Sequence, residues 1–382
     1  MLSLPPLSMY VHLPRCVRKS PYCDFNSHAV KGDFPAEAYV DALLRDLERD
    51  LPLVWGRTVH SIFFGGGTPS LFSAAQIERR LGGFRSMLRL APDVEVTLEA
   101  NPGTTEHDSF TAYRDAGVNR VSLGVQSFDD DLLRRIGRIH GRREIDRAIR
   151  SIQDGGIGNF NIDLMFALPG QSLEQAAEDV RLALLCRPAH LSQYHLTIEP
   201  NTAFHASPPP LPAEDLVWDM QEAGAELLGD AGFCGYEVSA WAVSGRECRH
   251  NFNYWEYGDY LGIGAGAHGK VTLPSDDAVR RRIRKRHPNA WMEAVSAGDS
   301  LAEDRELSAE ERVFEFFLNQ LRLRRGVNIS QFEPRTGVPW RRVAERVRQA
   351  VERGLLEERD DMLLHSETGW RFNNEVQAVF LP

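Results

Sequence analysis

Six short runs rich in β-branched and aromatic residues alternate with longer amphipathic stretches along the first 200 residues, and this alternation limits the fold most strongly. Such alternation is typical of βαβ units that build a parallel sheet. The chain has no Rossmann glycine fingerprint, which favours a barrel over a doubly wound sheet. We therefore expect an α/β fold whose main part is a partial (β/α)6, TIM-like barrel. The predicted strands are residues 9–13, 59–64, 94–98, 120–125, 160–166 and 191–198.

Glycine and polar residues cluster where the predicted strands end. The second strand is followed by a Gly-Gly-Gly-Thr run at 65–68, and the third by Glu-Ala-Asn-Pro at 99–102. Gln-Ser at 126–127 follows the fourth strand, and Pro-Gly at 169–170 follows the fifth. In (β/α) barrels the active site is built from the loops at the carboxyl ends of the strands. The sequence therefore predicts its functional site at that end of the barrel.

The pattern changes after the predicted barrel, which we place at residues 1–235. Residues 236–300 are predicted to be a connecting segment, because they are rich in aromatic residues, glycine and histidine. Residues 301–382 are predicted to form a small winged-helix-like α+β module. Its predicted elements are helices at 309–324, 329–336 and 340–353 and β-like runs at 362–365 and 369–372.

Net charge and the lengths of the apolar runs argue against some classes of protein. The 382 residues carry a net charge of −10, which argues against nucleic acid as the main partner. The basic run at 280–286 is interpreted as a salt-bridged surface because many acidic residues surround it. No run approaches the roughly 20 apolar residues that span a bilayer. With no signal-peptide pattern either, we expect a cytoplasmic protein without a membrane span.

Two of the five cysteines stand apart from the others. An odd, small number makes a disulfide framework improbable. Cys186, Cys234 and Cys248 lie in apolar or mixed surroundings that indicate packing. Cys16 and Cys23 lie on a loop after a strand that ends in proline. A short loop with soft thiolates suits an iron–sulfur cluster.

The string from Tyr10 to Phe25 resembles the cluster loop of radical S-adenosylmethionine (SAM) proteins. These proteins carry C-x3-C-x2-C with an aromatic residue before the third cysteine, and here the positions read Cys16, Ser20, Tyr22 and Cys23. The resemblance implies a [4Fe–4S] cluster on three thiolates, with SAM on the fourth iron. Ser20 stands at the middle ligand position. Its hydroxyl stays protonated and its oxygen is a hard ligand, so we expect an impaired cluster.

The residues expected to bind SAM follow from the same resemblance. The glycine-rich run at 65–68 is neither a Walker A loop nor a G-x-G-x-x-G motif. Asp163 is unusual because a carboxylate within an apolar strand needs a partner. The implied SAM contacts are Tyr10, Gly66, Gly67, Thr68, Glu99, Gln126, Arg138 and Asp163.

The H-N-x-x-Y-W string at 250–255 is typical of the heme-chaperone branch of the oxygen-independent coproporphyrinogen III oxidase-like family. The resemblance implies that His250 binds heme iron through a neutral imidazole, with His268 as a second candidate. A histidine that only satisfies local hydrogen bonds is the competing interpretation.

Three functions compete at this point. The first is a heme chaperone that binds heme, SAM and a [4Fe–4S] cluster impaired by Ser20. It would act with heme-accepting proteins of unknown identity, and a homodimer is left open. The second is a coproporphyrinogen III dehydrogenase. That enzyme has an additional cysteine where this chain has Phe25, so we do not expect coproporphyrinogen oxidase activity. The third is a non-catalytic binding module.

Overall fold

A computed structural model of the protein describes residues 2–29, 34–103 and 108–381. The strands within these ranges are β1 (Leu7–Leu13), β2 (Arg15–Cys16), β3 (His28–Ala29), β4 (Thr58–Gly66), β5 (Arg89–Ala100), β6 (Arg120–Gln126), β7 (Phe160–Phe166), β8 (His190–His195), β9 (Cys234–Gly235), β10 (Ala240–Ala242), β11 (Asp259–Ile263), β12 (His268–Leu273), β13 (Ala278–Arg284), β14 (Leu301–Glu306), β15 (Val327–Asn328), β16 (Leu356–Arg359) and β17 (Met362–His365).

The helices in the same ranges are α1 (Ala36–Glu48), α2 (Leu51–Val54), α3 (Ala74–Met87), α4 (Phe110–Asp115), α5 (Asp130–Arg135), α6 (Arg142–Asp154), α7 (Leu173–Leu185), α8 (Ala203–Ala206), α9 (Glu214–Asp230), α10 (Arg249–Trp255), α11 (Pro288–Ala297), α12 (Ala309–Gln320), α13 (Phe332–Thr336), α14 (Ala344–Glu352), α15 (Glu367–Arg371) and α16 (Asn373–Ala378). None of these helices has the length and apolar character that crossing a bilayer requires.

The main sheet has the strand order β14-β13-β12-β11-β1-β4-β5-β6-β7-β8-β10-β9 in the described part of the chain. All six predicted strands are present, as β1 and β4 to β8, and neighbours among them pair in parallel. The expected α/β partial barrel is therefore confirmed. β11 adds one more parallel strand beside β1, which the sequence did not predict. Glycines at 258 and 264 flank β11 and made this segment resemble a loop.

The two faces of the barrel strands differ in chemistry. In β1, Met9 and Val11 are fully buried in the main hydrophobic core, which also contains side chains of α1 and α3. Ser8, Tyr10 and His12 alternate with them and therefore point to the opposite face. Polar residues at alternate positions continue on β5, β6 and β7. The barrel interior is consequently a polar surface for ligands, unlike the apolar interior layers of an ordinary TIM barrel.

Buried ion pairs join the strands after residue 259 to the barrel. The Arg284 guanidinium on β13 donates to Asp46 at 2.9 Å and to Asp50 at 2.7 Å. Arg282 also pairs with Asp50, and the Ser300 hydroxyl donates to Asp46 at 2.7 Å. Because all four charged groups are buried, this network holds β13 against α1.

The basic run at 280–286 is largely neutralised by these and further pairs. Besides Arg282 and Arg284, three of its cations have acidic partners in the described structure. The pairs are Arg280–Asp304, Arg281–Glu315 and Lys285–Asp299. The run is thus a salt-bridged part of the sheet rather than a bare cationic patch. Residues of the predicted connecting segment supply β10 to β13 of the main sheet, and its boundaries at 236 and 300 remain a prediction.

The C-terminal module packs α12, α13 and α14 against the small sheet β15-β17-β16, around an apolar core of its own. One predicted element is wrong here, because residues 369–372 do not form a strand. Glu367–Arg371 is a helix, capped by the Ser366 hydroxyl, which accepts from the Gly369 N–H at 2.9 Å. The hairpin partner of β17 is β16, joined to it through Asp360 and Asp361 with positive φ.

Candidate functional site

The expected SAM-binding residues meet at the carboxyl end of the barrel. The Glu99 carboxylate at the end of β5 accepts a hydrogen bond from the Gly66 N–H at 3.1 Å. The Tyr10 hydroxyl lies 2.9 Å from Nδ1 of His12 on β1. A Cβ added at Gly65 would come 3.0 Å from the Tyr10 ring and 3.2 Å from Glu99. Three neighbouring strands therefore bring these groups into one compact space.

The glycine-rich run has to be glycine because of what lies against it. Gly66 has φ of +111°, and a Cβ there would lie 2.4 Å from the His12 ring. A Cβ at Gly67 would lie 2.3 Å from the Arg15 carbonyl oxygen. The next residue, Thr68, donates its N–H to that same carbonyl at 2.7 Å. The run thus packs directly on the loop that carries Cys16 and cannot accept side chains.

A second group of predicted residues is connected through Asn101. The Asn101 amide donates to the Thr68 hydroxyl at 3.1 Å and accepts from the Arg138 guanidinium. Arg138 also donates to the Gly124 carbonyl at 2.7 Å. Gln126, with φ of +71°, turns at the end of β6 so that its amide lies next to Gly124. Four loops therefore form one wall of the site.

Asp163 has the partners that its position in an apolar strand requires. Its carboxylate accepts from Asn161 at 2.7 Å and from Ser122 at 3.1 Å. Burial is the main cause of the raised pKa of Asp163. Burial also raises the pKa of Glu99 to about 8, with a further contribution from the charge of Asp163. Glu99 keeps part of its surface exposed, yet the protein desolvates its carboxyl strongly.

Stability should depend on pH through Glu99. The folded chain holds the Glu99 proton more tightly than the unfolded chain does, because the pKa of the Glu99 carboxyl in the unfolded chain lies near 4.5. The stabilisation from this group is therefore complete below that pH and is lost as the pH rises toward about 8. Between pH 6 and 7 we expect the free energy of unfolding to fall by about 1 kcal/mol relative to Glu99→Gln. Urea denaturation of both proteins measures the difference, and parallel pH profiles would contradict the expectation.

The cluster loop places the Cys16 and Cys23 thiols close to the Ser27 hydroxyl. Cys16 is buried, and burial raises the pKa of its thiol. The Cys23 sulfur lies 3.7 Å from the Ser27 hydroxyl, and the Cys23 N–H donates to the Ser20 carbonyl at 3.0 Å. Across residues 2–29, 34–103 and 108–381, no three His, Cys, Asp or Glu side chains are grouped as a metal site.

The remaining three cysteines make their contacts in other parts of the described structure. Cys248 is buried directly before α10, with its sulfur 3.7 Å from Glu95 in the middle of β5. Cys186 ends α7, and its thiol donates to the Leu182 carbonyl. Cys234 is exposed on the edge strand β9.

His250 lies deep inside the barrel, on the side away from the carboxyl ends. Its Nδ1 is 3.1 Å from the Ser61 hydroxyl and its Nε2 is 3.0 Å from the Tyr254 hydroxyl. The ring stacks on Phe63 at 4.9 Å, and burial lowers the pKa of His250 to about 3. With 1% of its surface exposed and both nitrogens engaged, His250 offers no free atom to an iron in this conformation. Its role as a heme ligand stays a prediction that these contacts do not support.

Three groups at the site were not predicted from the sequence. Asn101 bridges Thr68 and Arg138, and His12 contacts both Tyr10 and the cluster loop, with Nε2 2.9 Å from the Asn26 carbonyl oxygen. Ser122 supports Asp163 from the neighbouring strand. Their positions in the sequence could have indicated them, because all three are polar residues in or shortly after a predicted barrel strand.

Known proteins share this arrangement along the whole chain. Residues 10–183 match the model of the radical SAM superfamily, and residues 307–372 match the HemN C-terminal domain. The chain is 48% identical to the heme chaperone HemW of Escherichia coli strain K12 over 381 residues, which cover 100% of both proteins. The chain belongs to the HemW family. HemW of Haemophilus influenzae is 45% identical, over 100% of this chain and 99% of that protein.

The expected fold of the HemW family is also seen in a solved structure. The coproporphyrinogen III oxidase HemN from Escherichia coli, a radical SAM enzyme, superposes with a TM-score of 0.83 at 23% identity. The match covers 99% of this chain and 90% of that chain. It confirms the radical SAM barrel followed by a C-terminal module. Membership of the superfamily implies SAM and a [4Fe–4S] cluster as cofactors.

Proposed function

We propose that this chain is a heme chaperone that binds heme and SAM, carries an impaired iron–sulfur cluster, and passes heme to other proteins. The observation that carries the proposal is the 48% identity to a heme chaperone across the complete length of both proteins. The matched length includes the barrel, the added strands and the C-terminal module. The heme-accepting proteins, a homodimer and a cytoplasmic location remain predictions.

The residues at the barrel mouth fit SAM. Gly65, Gly66 and Gly67 keep the backbone bare beside β1, where a Cβ would come against Tyr10, His12 or the Arg15 carbonyl. Glu99 and Asp163 offer carboxyl groups to the cationic end of SAM, and Arg138 is held by Asn101 and the Gly124 carbonyl. SAM, when bound, supplies the radical chemistry of the superfamily. The chain's own part is to orient the ligand and to limit access of water.

The cluster loop fits a [4Fe–4S] cluster only in part. Cys16 and Cys23 supply two soft thiol ligands, whereas Ser20 supplies a protonated hydroxyl at the third position. The Cys186 thiol contacts the Leu182 carbonyl and the Cys248 thiol lies near Glu95, which supports Ser20 as the third position. We therefore infer a cluster that is incomplete or labile, and no reaction step is assigned to it.

The two competing functions have less support. The dehydrogenase would need an additional cysteine at the position of Phe25, which is instead an exposed phenylalanine. Structural likeness to HemN at 23% identity concerns the fold alone. A binding module for nucleic acid would need free cations, but the basic run at 280–286 is mostly paired with carboxylates.

The proposal is tested by titrating the purified protein with hemin, followed by absorbance, and with SAM, followed by calorimetry. We expect saturable binding of both. Gly66→Ala should weaken SAM binding by about tenfold, because alanine at positive φ is strained and its Cβ would strike His12. Heme binding by the same variant should not change.

Gly82→Ala is the matched control for this substitution. Gly82 lies in α3 with open space around the position of a Cβ and an ordinary helical conformation. Alanine there should leave both affinities unchanged. A wild-type protein that binds no hemin would contradict the chaperone proposal. Full SAM affinity in Gly66→Ala would remove the glycine-rich run from the SAM site.

A further inference from the structure

Two arginines of the C-terminal module lie directly against α10. We call Arg322 and Arg325 the arginine pair; both follow α12. The Arg322 guanidinium carbon lies 4.3 Å from the centroid of the Trp255 ring. The Arg325 guanidinium carbon lies 4.6 Å from the centroid of the Phe252 ring. Since Phe252 and Trp255 both belong to α10, the arginine pair and this helix share one contact surface.

Helix α10 presents different residues to the barrel and to the arginine pair. His250 and Tyr254 are hydrogen-bonded to each other, and His250 also contacts Ser61 of β4. Phe252 and Trp255, three positions apart, lie under the guanidinium groups instead. Since His250 is 1% exposed, a ligand that arrives from solvent meets the side of α10 that carries the arginine pair first.

The two guanidinium groups have acidic partners of different accessibility. Arg325 pairs with Glu256, and both side chains are partly exposed. Arg322 pairs with Glu237 at 2.9 Å, and Glu237 is buried. An accessible ion pair contributes little to stability, so a carboxylate from a ligand can take the place of Glu256 at small cost. The buried Glu237 instead fixes Arg322 in position.

Two buried donors at the same contact have no acceptor. Trp255 Nε1 and Arg322 Nε are buried, and neither has a hydrogen-bond partner among the described residues. Both nitrogens carry a hydrogen and can only donate. Buried donors without an acceptor are rare in proteins, because each has lost its hydrogen bonds to water. The surface between Arg322 and α10 therefore lacks acceptors, and an ionised carboxylate supplies acceptors alone.

We propose that the arginine pair binds the two propionate carboxylates of heme beside α10. One carboxylate takes the place of Glu256 on Arg325. The other accepts from Arg322 Nε and Trp255 Nε1, while Arg322 keeps its pair with Glu237. Guanidinium groups suit this role because they donate two parallel hydrogen bonds to a carboxylate. This inference rests on the proposed heme-binding function and names the groups that recognise the propionates.

Hemin titration followed by absorbance tests the proposal on the two partners of one ion pair. Arg325→Gln should weaken hemin binding about tenfold, because charge-assisted hydrogen bonds to a propionate are lost. Glu256→Gln should strengthen hemin binding about threefold, because the internal carboxylate no longer competes for Arg325. The opposite signs identify an exchange of carboxylates, since loss of a purely structural ion pair would change both affinities in the same direction.

Arg348→Gln is the matched control for the loss of an arginine. Arg348 is exposed on α14 and pairs with Glu345 at 2.7 Å, so its removal should leave hemin affinity unchanged. Hemin dimethyl ester provides a second comparison, because it keeps the ring and the iron but has no ionised carboxylate. The wild-type protein and Arg325→Gln should bind the ester with equal affinity.

Three results would count against the propionate site. Unchanged hemin affinity in Arg325→Gln would overturn it, as would weaker binding in both Arg325→Gln and Glu256→Gln. Equal losses of hemin and of ester binding in Arg325→Gln would also overturn it. Each of these results leaves heme binding by the chain intact. Absence of hemin binding by the wild-type protein would instead reject this site together with the chaperone function.

Discussion

Replacing Ser20 by cysteine is expected to raise the iron retained after anaerobic reconstitution with iron and sulfide about twofold. The wild-type chain should hold well under the four irons of a complete cluster. Cys16 and Cys23 share Ser27 as a neighbour, and Ser20 is bonded through its backbone to Cys23. A thiol at position 20 would supply the third thiolate of the C-x3-C-x2-C pattern.

Chemistry rather than geometry is the reason for this expectation. A serine hydroxyl stays protonated near neutral pH, and its oxygen is a hard ligand, whereas the iron–sulfur cluster prefers thiolate. Among the described residues, no group of three potential metal ligands is formed without a cysteine at position 20. The Ser20→Cys substitution exchanges the hydroxyl for a thiol and leaves the rest of the side chain unchanged.

A matched control distinguishes ligand repair from nonspecific iron binding by an extra thiol. Ser86→Cys adds a thiol at an exposed position at the end of α3 and should not change the iron content. Iron and acid-labile sulfide are measured per chain after gel filtration. Equal iron in the wild-type and Ser20→Cys proteins would show that Ser20 does not impair the site.

Removing the Asp259 carboxylate is expected to lower the free energy of unfolding by about 3–5 kcal/mol. Asp259 is fully buried and accepts from Arg57 at 2.8 Å and from Lys270 at 3.1 Å. It also accepts from the Thr272 N–H at 2.9 Å and hydroxyl at 2.8 Å. Asp259→Ala would leave two buried cations without a counter-charge and two donors without an acceptor.

The expected loss is large because the cations cannot reach water. Lys270 is 2% exposed, and burial is the main cause of its lowered pKa. Its ammonium lies 3.9 Å from the centroid of the Tyr257 ring, which fixes it in place. Asp259 is also the first residue of β11, so the same change weakens the connection of β12 and β13 to the barrel.

Asp299→Ala is the control for this substitution. Asp299 pairs with Lys285 at 2.7 Å but is 76% exposed, so its removal should leave the free energy of unfolding almost unchanged. Urea denaturation followed by circular dichroism gives both values. A loss of similar size in the two variants would show that the buried network contributes no more than a surface ion pair.

Much of the barrel could be predicted from local patterns. Strands β1 and β4 to β8 have alternating or continuous apolar residues followed by turns, and these signals depend only on near neighbours. β11 escaped prediction because its pairing with β1 is a contact across some 250 residues, and its own sequence resembles a loop. The segment 369–372 failed for a related reason, since a cap at Ser366 outweighs the β propensity of its aromatic residues.

The candidate site likewise has features that the sequence predicts and features that depend on the fold. The residue types at the strand ends, the two thiols and the serine between them follow from the sequence alone, because chemistry depends on the side chain itself. Their convergence depends on the parallel register that brings Gly66, Glu99 and Asp163 to one end of the barrel. The surroundings of His250, and the contact of the arginine pair with α10, arise between segments distant in the chain. Only the folded structure shows these contacts. The burial of a histidine ring and the hydrogen bonds of its nitrogens depend on neighbours that no local sequence pattern specifies.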